Sequence, residues 1–185
     1  MKIVNKSRAL PVGAAVVYAS FAATSAFAAE PDSCNTVRFS DVGWTDITAT
    51  TALTTSVLEA IGYETETQVL SVPVTYTSMK NGDIDVFLGN WMPTMEADLA
   101  PYREEGSVDV VRTNLEGAKY TLAVNAAAAA LGIGNFADIA THADELDESI
   151  YGIESGNDGN RLIQDMIDSN AFDLEDFKVV ESSEP

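Results

Sequence analysis

The sequence predicts an α/β fold with mainly parallel sheet. From residue 36 onward, strand-like and helix-like segments alternate, and the connections between them are short. The run IDVFLG (84–89) is continuously apolar, as expected of a strand buried on both faces.

The first segment is an address rather than a fold element. MKIVNKSR carries Lys2, Lys6 and Arg8 without an acid, the following twenty residues are almost wholly small and apolar, and Ala26-Phe27-Ala28 is an A-x-A cleavage site. A basic stretch, an apolar stretch and a small-residue site define a secretory signal peptide over residues 1–28. An uncleaved anchor is the alternative, since the apolar run approaches spanning length. Pro11, Gly13 and the cleavage site fit removal better, so the mature protein is expected to start at Ala29, exported to the periplasm.

The mature elements follow in order. TVRFS (36–40) reads as a strand. TDITATTALTTSVLEAIG places Ile47, Leu53, Val57, Leu58 and Ile61 near helical spacing and closes on Gly62. Its threonines make it a weak helix by propensity, so packing must hold it. TQVLSV is a second strand, and Pro73 opens a short helix ending near Asn81-Gly82. After IDVFLG come a helix around 94–105 and strands at VDVVR and KYTLAV. The alanine run 126–130 reads as helix, followed by a helix through FADIATHADEL, a strand IYGIE, a helix GNRLIQDMIDSN and a strand FKVVES. An α/β layer normally continues after such a strand, so the chain is read as C-terminally truncated.

Charge and composition exclude several functions. The chain carries 29 acids against ten Lys and Arg, a net of −19; with three of those bases in the first eight residues, the chain from Ala29 on is at −22. Such a protein repels nucleic acid and anionic lipid. The single cysteine, Cys34, implies a partner elsewhere or a free thiol. Zinc sites need several His or Cys ligands, and His142 is the one histidine, so no metal and no cofactor are expected. His142 sits in the acidic THADELDE, read as an exposed helix with no nucleophile partner. Gly132 to Ala137 imitates a dinucleotide fingerprint but follows a helix-like run instead of a strand. Glu154 to Asp165 lacks the ligand pattern of a calcium loop. The chain is not expected to be an enzyme.

What remains is aromatic. Trp44, in DVGWTD, and Trp91, in GNWMP, each lie just after a predicted strand. In open α/β sheets the ligand crevice lies beyond the carboxyl ends of the strands, so both indoles can reach one crevice. Tyr120, near the start of KYTLAV, could join them from an opposing layer. Aromatic faces suit a quaternary ammonium, which has no N–H to donate and is drawn to ring quadrupoles by about 2 kcal/mol or more once water is excluded. Ordinary core packing is the alternative for these rings. Asp46 favours a ligand role, since a carboxylate beside Trp44 is costly in a core, while a helix cap at TDITAT is its alternative role.

The blocks VRFSDVGWTDITAT, SVPVTYTSMKNGDIDVFLGNWMPTME, TNLEGAKYTLAV, IYGIESGND and VVESSE together resemble the periplasmic choline- and glycine-betaine-binding proteins of ABC importers, most closely the choline-binding branch. The resemblance covers essentially the whole mature chain. It implies a type II periplasmic binding protein, two lobes with a ligand cleft between them, closing by hinge motion. The lobes are expected at 29–113 and 114–185, both incomplete. It also implies that Trp44 and Trp91 from one lobe and Tyr120 from the other form most of an aromatic box. Asp46 would accept the choline hydroxyl, and Asn157, in SGND, would be a polar ligand contact. Family members run on for about a hundred residues more, within the size of a two-domain protein. The additional chain would hold another box tryptophan and a disulfide partner for Cys34.

The function expected is capture of choline and its delivery to an ABC permease. Glycine betaine or proline betaine is the near alternative. A betaine carboxylate needs N–H donors or a cation and would be repelled by Asp46, and no Lys or Arg flanks either tryptophan. Lys119 adjoins Tyr120, but strand neighbours point to opposite faces. Acetylcholine also satisfies an aromatic box. A sensor subunit docking a membrane receptor, and an exported hydrolase using Asp41 with Asp46, are the more distant readings.

Overall fold

The computed structural model describes residue 31 and residues 34–182. The export signal read over residues 1–28 lies outside the described residues. No described helix is long and apolar enough to cross a membrane.

Among the described residues there are two parallel sheets. In the first, β1 (Thr36–Asp41) pairs in parallel with β2 (Glu64–Val69) on one side and β3 (Val86–Phe87) on the other, giving the order β2-β1-β3. Parallel neighbours need a crossover, here α1 (Thr45–Ala60) between β1 and β2, and α2 (Val72–Asn81) between β2 and β3. The chain therefore steps outward from β1 to β2 and returns to the opposite side of β1. That reversal is a topological switch point, opening a crevice at the carboxyl ends of β1 and β3. α3 (Glu96–Glu104) packs beside α2.

Val42, Trp44, Ile47, Val72, Tyr76, Met95, Leu99 and Val108 form the core against this sheet. Tyr76 is central: its ring meets Phe87 edge-on at 5.9 Å and stacks on Tyr102 at 5.6 Å. Its hydroxyl donates to Asn90 at 3.0 Å, so its polar end is satisfied. Burial pushes the phenol's pKa up, with further pressure from Asp98 and Asp158. α2 begins with Pro73 in its first turn and ends at Gly82, which takes the left-handed C-cap conformation, as the sequence predicts.

The second sheet pairs β4 (Ser149–Tyr151) with β5 (Lys178–Val180) in parallel across α7 (Asp158–Asp168). Ile133, Ile139, Ile150, Ile163, Ile167, Leu174 and Phe177 make a separate core. The intervening short helices are α4 (Ala126–Ala130), α5 (Phe136–Ile139) and α6 (Ala143–Leu146), with a 3-10 turn over Ala140–His142.

Several expectations are corrected. VDVVR and KYTLAV are not strands, and Val111 lies almost fully in solvent. IDVFLG supplies only a two-residue strand, half-buried instead of covered on both faces. On α1, Ile47 and Thr51 face the core, whereas Leu53 (69% exposed), Val57 and Ile61 point outward. FADIATHADEL is broken into α5, a 3-10 turn and α6, with His142 leaving helical conformation (φ −124°, ψ 30°) just before α6. His142, expected on an exposed helix, is half-buried in the 3-10 turn.

Arg38 and Asp85 lock β1 to the start of β3. The Arg38 guanidinium donates from Nε (2.9 Å) and a terminal nitrogen (2.7 Å), its amide donates to the same carboxylate (2.8 Å), and the Asp85 amide returns a bond to the Arg38 carbonyl. Hydrogen bonding to Arg38 holds the Asp85 carboxyl below its ordinary value. With the folded pKa lowered, this contribution is complete above the unfolded carboxylate pKa and is lost as pH falls through the folded value. Asp85→Asn should therefore lower the melting temperature at pH 7 more than at pH 3, as thermal melts at the two pH values will read.

Candidate ligand-binding site

The site starts from a turn. Asp41, the last residue of β1, is buried, and its Oδ1 accepts the Gly43 amide at 2.8 Å. Gly43 has φ +85°, a left-handed value that favours glycine. This turn carries the chain from β1 into α1 and leaves Trp44 at the N-cap of α1, with its carbonyl accepting the Thr48 amide at 2.8 Å. Asp41 thus holds the turn through its carboxylate. Asp46 is not the cap; it lies exposed in the first turn of α1, where its charge complements the helix dipole.

Trp91 follows β3 by four residues and packs, half-buried, against the same core as Trp44. Its amide donates to the Met95 sulfur at 3.1 Å, and its carbonyl accepts from the Thr94 hydroxyl and the Met95 amide, so the backbone around the indole is held. Both tryptophans thus stand at the carboxyl edge of adjacent parallel strands, as the sequence predicts.

The opposing residues come from the segment before α4 and from the head of α7. Tyr120 is in extended, unpaired chain, not at the start of a strand. Its ring stacks on Trp91 with centroids 6.2 Å apart and planes inclined by 29°. Its hydroxyl donates to Asn157 Oδ1 at 3.3 Å. Gly159 permits this approach, since a side chain there would collide with the Tyr120 hydroxyl. Asn157 is buried (3% exposed) and caps α7, its Oδ1 also accepting the Gly159 amide at 2.8 Å.

A residue that sequence reasoning did not assign to the site completes the connection. Glu154 accepts the Trp44 indole N–H, at 3.2 and 3.3 Å to its two oxygens, and accepts from Asn157 Nδ2 at 2.9 Å. The loop bearing it is fixed by buried Asn160, whose amide donates to the carbonyls of Ile153 and Glu154 and accepts the Ile153 amide. Trp44, Glu154, Asn157, Tyr120 and Trp91 therefore form one continuous chain of contacts between the two cores. Four of the five predicted residues are in it; Asp46 is not. Glu154 follows β4 as the tryptophans follow β1 and β3, so the strand-end rule could have found it.

The field at the site is negative. Tyr120 has its phenol pushed up to about 12, by burial first and then by the charges of Asp158 and Glu154. The Asp158 carboxyl, at the first position of α7, is raised chiefly by burial, and one of its oxygens has no hydrogen-bond partner. Arg161, one turn on, directs its guanidinium to Asp98 at 3.0 and 3.2 Å and to the Thr94 carbonyl, tying α7 to α3. Two cavities lie elsewhere: one of about 350 Å³ between α2 and α3, and an apolar one of about 450 Å³ that shares Tyr120 with the site but neither tryptophan.

The difference between the two indoles is measurable. Trp44 is buried and Trp91 half-buried. Trp44→Phe, which leaves Trp91 as reporter, should show acrylamide quenching steeper than Trp91→Phe, which leaves Trp44.

Comparison with known proteins agrees with this architecture. The family described as the substrate binding domain of ABC-type glycine betaine transport systems matches residues 35–185. An uncharacterised protein, ORF1, of Chromohalobacter salexigens is 51% identical over 148 residues, covering 80% of this chain and 94% of that one. A solved ABC-transporter choline binding protein in complex with choline is 74% identical with a TM-score of 0.78, covering 84% of this chain and 54% of its own. Lactococcal OpuAC in its closed conformation with glycine betaine, 24% identical over 80% of this chain and 56% of its own with a TM-score of 0.66, shares the fold. The chain thus spans about half the length of these solved structures. The chain belongs to the substrate-binding domains of ABC-type glycine betaine transport systems, and its fold is that of the type II periplasmic binding proteins.

Proposed function

We propose that this protein is an exported receptor that captures choline and delivers it to an ABC importer permease. The observation that carries this reading is the contact chain that links Trp44 through Glu154 and Asn157 to Tyr120, whose ring stacks on Trp91. In this reading the chain has two lobes, 29–113 and 114–185, with a cleft between them, and residues 1–28 serve as the export signal. The 74% identity to a choline-binding protein supports the same assignment.

Trp44, Trp91 and Tyr120 hold the trimethylammonium group by their ring faces, where a desolvated cation gains about 2 kcal/mol or more. Asp46, on the exposed first turn of α1, accepts the choline hydroxyl. Asn157 holds Tyr120 and supplies polar contact at the opposite wall. Choline is favoured over glycine betaine by the donor inventory. The Asn157 amide nitrogen already donates to Glu154, and the Arg161 guanidinium is directed to Asp98 and the Thr94 carbonyl, so the donors nearest the site are partly committed to partners within the protein.

Occupation requires movement. An atom midway between the Trp91 and Tyr120 centroids would lie about 3.1 Å from each, half of the 6.2 Å separation. That is inside the roughly 3.5–4.0 Å optimum for carbon contacts, so an ammonium lying between these rings must part them. Hinge opening between the lobes supplies that motion.

Titration calorimetry with choline, glycine betaine and acetylcholine tests the reading. Choline should bind more tightly than betaine, and betaine binding the tighter would reverse the assignment. Trp44→Ala should weaken every quaternary ammonium by at least tenfold, the scale of one lost cation–π wall. Asp46→Asn should weaken choline more than tetramethylammonium, and equal losses would remove Asp46 from its role.

A further inference from the structure

We infer that Glu154 determines the charge specificity of the site, selecting cationic over zwitterionic ligands by acting through Trp44. The inference rests on the quaternary-ammonium reading above and extends it to a residue outside the aromatic box.

The geometry is particular. Both Glu154 oxygens lie within hydrogen-bond distance of the Trp44 indole nitrogen, at 3.2 and 3.3 Å, so the carboxylate addresses the edge of the ring and leaves its faces to other contacts. The same carboxylate takes the Asn157 Nδ2 proton at 2.9 Å, and Asn157 Oδ1 takes the Tyr120 hydroxyl. One acid therefore orients groups on both walls. Asn160 fixes the backbone on either side of it, with three hydrogen bonds of 2.8 to 3.1 Å, so Glu154 is held by the fold and not by chance surface packing.

Two effects of this placement favour a cation. An anion accepting the indole N–H polarises the ring and makes its faces more negative, strengthening attraction for a charge above them. Its full negative charge also acts directly across a partly desolvated site, where the effective dielectric is far below that of water. Both effects reverse for a ligand carboxylate. A glutamine at 154 keeps an acceptor oxygen for Trp44 and the overall shape but loses the charge, so it isolates the electrostatic role from the positioning role. Glu154 is thus a positioning and specificity residue rather than a wall of the box.

The test compares the full-length protein with its Glu154→Gln and Glu154→Asp variants. Choline, glycine betaine and 3,3-dimethylbutan-1-ol, the uncharged carbon isostere of choline, are titrated against each, with thermal melts to compare folding. In Glu154→Gln, choline affinity should fall about tenfold while the isostere and the net-neutral betaine are unchanged, so the ratios of choline to isostere and choline to betaine both narrow by about tenfold. Glu154→Asp, which keeps the charge, should retain the greater part of both ratios even if all affinities drop. Equal losses for all three ligands in Glu154→Gln, unchanged ratios, or ratios that collapse equally in Glu154→Asp would overturn the inference. These outcomes differ from failure of the functional reading itself, which would appear as absence of choline binding by the unmodified protein.

Discussion

The parallel pairing of β1 with strands on both sides is the constraint on which the candidate site depends. A chain that runs β1, β2, β3 with β1 in the middle must reverse direction across the sheet, and the reversal opens its carboxyl edge. Every residue that follows β1 or β3 is delivered to that edge whatever its identity. The sequence uses the opportunity by placing an indole after each strand. The Asp41–Gly43 turn fixes one and the Trp91–Met95 turn the other. Arg38 and Asp85 secure the strand pairing from the opposite end.

The second core repeats the arrangement with polar residues. β4 ends just before Glu154, and α7 begins just after Asn157, so a carboxylate and a capping amide are presented where the first core presents tryptophans. Hydrogen bonds between Trp44 and Glu154, an ion pair between Asp98 and Arg161, and stacking of Trp91 on Tyr120 join the two cores. The junction is consequently polar and stacked, the composition of an interface that can separate and re-form.

How much of this was legible in the sequence depended on whether local pattern or long-range pairing decided the outcome. α2 was readable because Pro73 and Gly82 mark its ends chemically, and α7 because Ile163 and Ile167 recur at helical spacing below an Asn cap. VDVVR and KYTLAV have strand composition but no pairing partner among the described residues, and β propensity without a partner does not make a strand. On α1 the periodic apolar residues Leu53, Val57 and Ile61 mark a face that does not meet the described core, so periodicity gave the helix but not its orientation. Trp44 and Trp91 are legible from their place after strands and Asn157 from its place at a helix head, whereas Tyr120, outside any strand, is reached only through the family resemblance. For Glu154 the one local signal is its place just after β4, and in a chain of net charge −19 the residue type itself does not single out the acid that faces an indole.

The stacked pair Trp91 and Tyr120 changes how recognition must be reckoned. Because the rings already satisfy one another, a ligand entering between them exchanges one favourable contact for two others. What counts is the surplus over the ring–ring contact, not the full attraction of a cation to two faces. A small, strongly hydrated ammonium loses too much solvation to meet that threshold, whereas a bulky methylated one sheds its water readily and spans the widened gap. On the proposed reading, the stack is an internal competitor, present at fixed effective concentration, for any ligand that enters between the two rings.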